Sequence, residues 1–266
     1  MLKKLVFPLT FILLSALVSA EIGLVSPVEY KASHQETVAL GSLQAGETLE
    51  LIVSRSTGPE SVPWKQAIVE PRFLPVGWRA EDSGLVGKNF LVKIFVPLTA
   101  LPGEYSFRVK LLSGSEDYSN EVFDALIQVE RGLVKANIAN LKRLTAQDQP
   151  VSFKLSLLND SIAVHSVSVE STLGLNWFKP VQLSLKPRST LDYTLTVHPV
   201  VASRAPFSFS VRSLVSSQPV NRFDAVLEVR PTLQGKLEAA SYGFPFYTYS
   251  LAPFYFLNAL LAPFLP

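Results

Sequence analysis

The octapeptide Phe123-Asp124-Ala125-Leu126-Ile127-Gln128-Val129-Glu130 returns 100 residues later as Phe223-Asp224-Ala225-Val226-Leu227-Glu228-Val229-Arg230, with four identities. Other landmarks keep nearly the same offset, since Trp78 matches Trp177. A repeat of about 100 residues predicts two hydrophobic cores in tandem rather than a solenoid of short, mutually dependent units. The first unit is expected at residues 24–131 and the second at 132–231, with almost no linker between them.

Apolar and polar residues alternate through both units with the period of two that half-buried β-strands require. In one such stretch Val151, Phe153, Leu155 and Leu157 share one face, and the residues between them are mostly polar. About seven strands fit into each unit, separated by turn sequences such as Ser113-Gly114-Ser115. Seven short strands in about 100 residues predict an all-β protein of two tandem immunoglobulin-like (Ig-like) β-sandwiches.

Three segments of the first unit carry a family resemblance: Pro75-Val76-Gly77-Trp78, Phe90-Leu91-Val92-Lys93-Ile94-Phe95-Val96-Pro97 and Pro102-Gly103-Glu104-Tyr105-Ser106-Phe107-Arg108-Val109. Together they resemble the Ig-like domain associated with alpha-galactosidases and their carbohydrate-binding modules. The resemblance implies a spacer or interaction module that occurs in repeats on exported bacterial and archaeal proteins, several of them anchored by a C-terminal membrane segment.

The second unit departs from this pattern at two turns. Gly174-Leu175-Asn176-Trp177 replaces the Pro-x-Gly-Trp turn, and Arg204-Ala205-Pro206-Phe207 replaces Pro-Gly-Glu-Tyr. A ligand role tied to those turns is therefore not carried over to the second unit. Both matched tryptophans, Trp78 and Trp177, are expected to point inward and fill the space between the sheets.

The first 20 residues predict a secretory signal peptide, because Lys3 and Lys4 precede an apolar run that ends in Val18-Ser19-Ala20. An uncleaved N-terminal anchor is the alternative. The chain has no cysteine, so an exported form depends on packed cores rather than disulfides. Without the two signal lysines, 22 basic and 22 acidic residues remain, and this balance argues against nucleic-acid binding. We expect an exported protein at the extracytoplasmic face of a membrane or at the cell surface.

An aromatic, apolar C-terminal segment occupies residues 239–266, which contain no charged side chain. Three interpretations stay open: a membrane-inserted anchor, a segment that docks on a membrane or a partner protein, and an extension that folds back onto the second unit. Pro253 and Pro263 leave only residues 254–262 free of a helix-interrupting proline. The candidate membrane or docking residues are Phe244, Phe246, Tyr247, Tyr249, Phe254, Tyr255, Phe256 and Phe264.

No residue pattern indicates a catalytic centre, a metal site or a cofactor. His34, His165 and His198 lack metal-ligand spacing and are expected to be exposed on strands or loops. The sequence has no Gly-x-Ser-x-Gly elbow and no phosphate-binding glycine loop. Asp124 and Asp224 are expected at surface strand positions, because no Asp-x-Asp run accompanies them.

Trp64 lies beside a loop rich in proline and glycine and has no counterpart in the second unit. A solvent-accessible Trp there would stack on a sugar ring or anchor a protein partner, whereas an edge Trp that covers the sandwich is the alternative. Asn159-Asp160-Ser161 is the single glycosylation sequon. It falls between predicted strands, where an Asn159 acceptor would be accessible.

Three functions are consistent with these features. The first is an exported, membrane-associated, non-enzymatic surface protein, whose Ig-like domains serve adhesion, envelope structure or protein-partner binding. The second is a carbohydrate-binding accessory module. The third is a periplasmic-type assembly chaperone, for which the uncharged C-terminal segment has no evident use. The expected partners are thus a membrane, a protein or a glycan, with no nucleic acid and no cofactor.

Overall fold

The computed structural model describes residues 21–58, 62–81, 83–114, 119–232 and 252–261. The strands of the first domain are β1 (Ile22–Ser26), β2 (Tyr30–Ala32), β3 (Thr37–Leu43), β4 (Thr48–Ser54), β5 (Gln66–Val69), β6 (Arg79–Ala80), β7 (Gly84–Val86), β8 (Asn89–Phe95), β9 (Gly103–Leu112) and β10 (Glu121–Val129). The strands of the second domain are β11 (Val134–Ala139), β12 (Lys142–Ala146), β13 (Val151–Asn159), β14 (His165–Ser171), β15 (Val181–Leu185), β16 (Ser189–Val197), β17 (Arg204–Ser213) and β18 (Pro219–Arg230).

The first domain is a sandwich of two sheets. One sheet has the order β2-β1-β4-β8-β6, with β7 also paired to β8, and the other has the order β3-β10-β9-β5. In chain order these sheets are the A-B-E-D and C-F-G sheets of an immunoglobulin sandwich. β3 joins the second sheet by running parallel to β10. The inward residues of both sheets, Leu51, Val92, Phe107 and Phe123 among them, form one buried core.

The second domain repeats this plan with one difference. Its sheets have the orders β11-β13-β16 and β12-β18-β17-β14-β15. The A-B-E sheet therefore has no D strand, and β15 extends the other sheet instead. Phe153, Leu155 and Leu157 are buried as the alternation predicts, and the rings of Phe153 and Phe209 lie 5.3 Å apart. The expected all-β fold of tandem Ig-like sandwiches is confirmed.

The two matched tryptophans are placed differently. Trp78 is buried as predicted, with its ring centroid 5.2 Å from that of Tyr105. Trp177 packs against the core of the second domain but is only partly buried, so the prediction that it fills the space between the sheets holds only in part. The neighbouring Phe178 is buried in its place, 5.4 Å from the ring of Phe209. The cause is a tight turn in which the Trp177 N–H donates to Gly174 O and directs the next side chain inward.

The predicted signal peptide and most of the C-terminal segment lie outside the described residues. Within that segment the chain forms helix α1 (Ala252–Leu261), which contains Pro253 in its first turn, where proline is tolerated. Phe256 and Leu257 on α1 are exposed. In the described part of the chain, no helix has the length and apolar character needed to cross a membrane.

Candidate functional site

The two domains meet around a buried carboxylate. Glu47, in the turn between β3 and β4, is 1% exposed. Its carboxylate accepts hydrogen bonds from Ser161 Oγ at 2.5 Å and from the Gln44 N–H at 2.8 Å. His165 Nδ1 lies 2.5 Å from the other oxygen of the carboxylate. Because Ser161 and His165 belong to the second domain, a polar cluster buried from solvent joins the two sandwiches.

Backbone contacts reinforce this junction. The Ile162 N–H donates to Ser42 O at 2.9 Å, and the Ile162 side chain is part of the core of the first domain. The Arg188 guanidinium donates to Leu40 O at 3.1 Å. The short link between the domains is also hydrogen-bonded to the first domain, because the Gly132 N–H donates to the Gln44 side chain. These contacts fix the first domain against one end of the second.

The cluster at the junction lacks the geometry of a nucleophilic site. Ser161 donates to the Glu47 carboxylate rather than to an imidazole, and both side chains are at most 1% exposed, so a substrate has no access to the hydroxyl. His165 Nε2 is buried and has no hydrogen-bond partner within the described chain. The cluster links the two domains, because Glu47 belongs to the first and Ser161 and His165 belong to the second.

The candidate binding site is the open side of the second domain, defined as the edge of β16 that faces away from β13. In the first domain the corresponding strand, β8, is paired with β4 on one side and with β6 and β7 on the other. In the described part of the second domain, β16 pairs with β13 alone. The reason lies in the connection before β16, where only Lys186, Pro187 and Arg188 separate it from β15.

The direction of the backbone groups on β16 follows from two hydrogen bonds just beyond its end. The His198 N–H donates to Trp177 O at 2.8 Å, on the open side, whereas Pro199 O accepts from the Asp148 N–H at 2.9 Å, on the side of β13. Backbone groups of successive residues in a strand point to opposite edges. The residues whose N–H and C=O groups face the open side are therefore Thr190, Asp192, Thr194 and Thr196.

The inward side chains of β16 are incompletely covered on the open side. Phe90 and Val92 on β8 are at most 3% exposed. Leu191 and Tyr193 on β16 are only half-buried, although they also face the interior of their sandwich. The difference arises because strands cover β8 at the edge where β16 has none. An apolar strip is thus accessible beside unpaired backbone groups.

A cleft of about 330 Å³ lies along this strip, and we call it the edge cleft. Its walls are the turn before β15 and the C-terminal half of β16. Trp177 and Tyr193 contribute aromatic surface, and Lys179 is the one lining residue with a formal charge at neutral pH. An apolar, aromatic cleft next to free backbone groups is suited to binding a ligand that has both apolar and hydrogen-bonding parts.

Trp64, the predicted contact for a partner or glycan, is 0% exposed and belongs to the core of the first domain. The prediction of an accessible Trp is wrong, because the backbone of Trp64 is hydrogen-bonded to Arg55 and its side chain packs in the core. The backbone N–H of Trp64 donates to Arg55 O at 2.9 Å, and the backbone carbonyl of Trp64 accepts from Arg55 Nε at 3.0 Å. The indole Nε1 has no hydrogen-bond partner among the described residues.

Asn159, the predicted glycosylation acceptor, is also 0% exposed. Its Nδ2 donates to Ala163 O and to Lys186 O, both at 2.9 Å, and its Oδ1 accepts from the Ser161 N–H at 3.1 Å. The side chain therefore organises the turn at the junction of the domains. The prediction of an accessible acceptor is contradicted by this burial.

The histidine prediction is correct for two residues and wrong for the third. His34, which pairs with Glu121, and His198 are exposed. His165 is buried because the first domain covers it. No group of three His, Cys, Asp or Glu side chains within the described ranges is placed to hold a metal ion.

The open side was not predicted from the sequence, because the chain between corresponding strands is nearly equal in length in the two domains. It has 19 residues, 70–88, between β5 and β8 in the first domain and 17 residues, 172–188, between β14 and β16 in the second. In the first domain this chain forms β6 and β7 against β8, whereas in the second it forms β15 against β14. Of the predicted docking aromatics, Phe256 is exposed on α1; Phe244, Phe246, Tyr247, Tyr249 and Phe264 lie outside the described residues, as do the side chains of Phe254 and Tyr255.

Comparisons with solved structures find similarity at low sequence identity to titin domains and to bacterial adhesin domains, among others. A chimeric titin Z1Z2 shares 12% identity over 80% of this chain and 98% of its own, with a TM-score of 0.41. The D00-D0 domain of intimin shares 10% identity over 77% and 98%, with a TM-score of 0.28. The Yersinia pseudotuberculosis adhesin InvE shares 11% identity over 77% and 58%, with a TM-score of 0.29.

Because these three TM-scores are below 0.5, the fold assignment rests on the strand pairing observed in this chain. No protein-family model matches the sequence, and no curated protein matches it. The resemblance to the alpha-galactosidase-associated domain therefore has no support beyond the residues that suggest it. What the structure supports is the broader assignment to tandem Ig-like domains.

Proposed function

We propose that this chain is an exported, non-enzymatic surface protein that binds a protein partner through the open side of its second domain. The observation that carries the proposal is the edge cleft, where Trp177 and Tyr193 are accessible beside the unpaired edge of β16. Large aromatic residues with partial exposure are the side chains that most often anchor protein interfaces. The described residues offer no competing catalytic arrangement at either the junction or the cleft.

The other parts of the chain fit this role. The apolar N-terminal residues supply an export signal, and residues 239–266 hold the protein at the extracytoplasmic face of a membrane. The buried Glu47 cluster fixes the angle between the domains, so the open side is presented in a constant orientation relative to the first domain.

Photo-cross-linking in cells that produce the full-length protein tests partner binding. A photoreactive phenylalanine derivative at Tyr193 should yield a discrete cross-linked protein. The same derivative at Tyr30, an exposed tyrosine on β2 of the first domain, is the matched control and should not. Identical products from both positions, or none from position 193, contradict the proposal. Recovery of the full-length protein entirely in the culture fluid contradicts the membrane part.

A glycan is the second candidate ligand, because the edge cleft combines Trp177 and Tyr193 with the polar groups of Asn176 and Thr194. Aromatic side chains beside hydrogen-bonding groups suit a sugar ring. In this case Trp177, rather than the buried Trp64, is the expected contact. Retention on insoluble polysaccharide that is lost in Trp177→Ala but kept in Trp64→Phe supports this candidate, and equal retention of both variants excludes it.

A further inference from the structure

We infer that the partner binds by adding an antiparallel strand to β16, in the place that β6 and β7 occupy against β8. This inference rests on the proposed function and specifies its mode: the ligand is an extended polypeptide segment of another protein. The first domain supplies the pattern within the same chain. There, β7 pairs with β8 with Leu85 opposite Phe90, and β6 pairs with it with Ala80 opposite Ile94.

The backbone of β16 defines what an occupant has to provide. Thr190, Asp192, Thr194 and Thr196 each present one N–H and one C=O to the open side. These N–H and C=O groups alternate along residues 190–196, and the backbone of another extended polypeptide has groups with the same spacing. A sugar offers hydroxyl groups without this repeat, so a strand fits the edge better. Addition of a peptide strand to an exposed sheet edge is an established mode of recognition.

The side chains of β15 and β16 that line the gap between the sheets restrict which residues the bound segment can have. The gap between the two sheets exposes Leu191 and Tyr193 from β16, together with Val181 and Leu183 from β15. A bound strand therefore carries apolar side chains at every second position, pointing into this gap. Lys179 lines the cleft without a carboxylate among its lining residues, so an acidic residue near that end of the segment is complementary to it.

A pair of synthetic peptides separates strand addition from other modes of binding. The probe is a nine-residue peptide of alternating valine and threonine with one glutamate, and its control carries N-methyl groups at alternate backbone positions. N-methylation removes the N–H groups that pair with β16 but keeps the side chains. Amide hydrogen exchange of the full-length protein is measured with each peptide at millimolar concentration.

The first peptide is expected to slow exchange at least tenfold at Thr190, Asp192, Thr194 and Thr196. The methylated peptide should have no effect, and the amides of β8 should exchange equally in every sample. Protection by both peptides, or by neither, overturns strand addition. If cross-linking from position 193 persists in that case, the proposed function stands while this mode of binding fails.

Two variants of the protein provide the reciprocal test. Thr194→Pro removes an N–H that faces the open side, where proline is tolerated because it breaks no bond to β13. Thr194→Val keeps the N–H and is the matched control. Peptide protection should be lost in the first variant and kept in the second. Slow exchange at Thr190 to Thr196 without any peptide would overturn the inference, because the edge would then be occupied by residues 233–251 of the same chain or by a second copy.

Discussion

The carboxylate of Glu47 in the first domain lies 2.5 Å from the imidazole Nδ1 of His165 in the second, and both side chains are buried. Glu47 also accepts a hydrogen bond from the Gln44 N–H in its own domain, so the carboxylate connects the turn before β4 to the second domain. The corresponding acidic residue of the second unit, Asp148, is exposed. The repeat thus retains an acidic residue at this turn, but only the first copy is covered by a following domain.

Removal of the Glu47 carboxylate should destabilise the protein strongly. Glu47→Ala leaves Ser161 and His165 buried without their acceptor, so we expect a loss of about 3 kcal/mol in the free energy of unfolding. Chemical denaturation measures it. Glu50→Ala, which removes an exposed carboxylate on the adjacent β4, is the control and should change stability by less than about 0.5 kcal/mol. Equal losses in the two variants would contradict the structural role of the junction.

Trp64 should behave as a core residue. Trp64→Ala creates a cavity and is expected to cost about 3–5 kcal/mol. Trp64→Phe keeps an aromatic ring and removes the unpaired indole N–H, so its cost should be much smaller. Urea denaturation of both variants tests this difference. Similar stability of wild type and Trp64→Ala would mean that the indole is exposed.

Asn159 should remain unmodified and contribute to stability. Its amide donates to two carbonyls, and we expect Asn159→Ala to cost about 2 kcal/mol because these acceptors lose their partner. Asn137→Ala, at an exposed position on β11, is the control and should be nearly neutral. Intact-mass spectrometry of the exported protein checks the modification. A glycan at Asn159 would show that this turn opens during export.

The pairing of Asp124 with Arg108 should make the free energy of unfolding depend on pH. Arg108, on β9, donates to both oxygens of the Asp124 carboxylate at 2.8 and 3.0 Å, and these hydrogen bonds lower the pKa of Asp124. A carboxyl group with a lowered folded-state pKa stabilises the protein above the unfolded-state pKa, about 3.9. That contribution is lost as the pH falls through the folded-state value.

Asp124→Asn should therefore lose about 0.5 kcal/mol at pH 7 and differ progressively less from wild type below about pH 4. Asp224→Asn is the matched control, since Asp224 faces Ser208 across the strands and its ion pair with Arg222 is exposed to solvent. It should show little effect at either pH. Thermal unfolding from pH 2.5 to pH 7 provides the measurement, and a constant difference between Asp124→Asn and wild type would contradict the pairing.

Much of the fold was predictable because the signals are local. The alternation in residues 151–157 requires only the period of a strand, and the burial of Phe153 and Leu155 follows from it. The return of Phe123-Asp124-Ala125 at residue 223 predicts that both copies end in the same strand, which is the case for β10 and β18. The prediction that both matched tryptophans point inward was less accurate, because a turn decides whether Trp177 or Phe178 points inward.

The sequence by itself determined an all-β chain of two repeated sandwiches, since strand periodicity and the repeat are properties of neighbouring residues. Only the tertiary structure decided that Trp64 and Asn159 are buried, because their covering atoms come from other parts of the sandwich. Glu47 and His165 are 118 residues apart, and their contact depends on how one domain packs against the other. The open side of β16 is likewise a property of the sheet, since an edge is defined by the strand that does not pair with it.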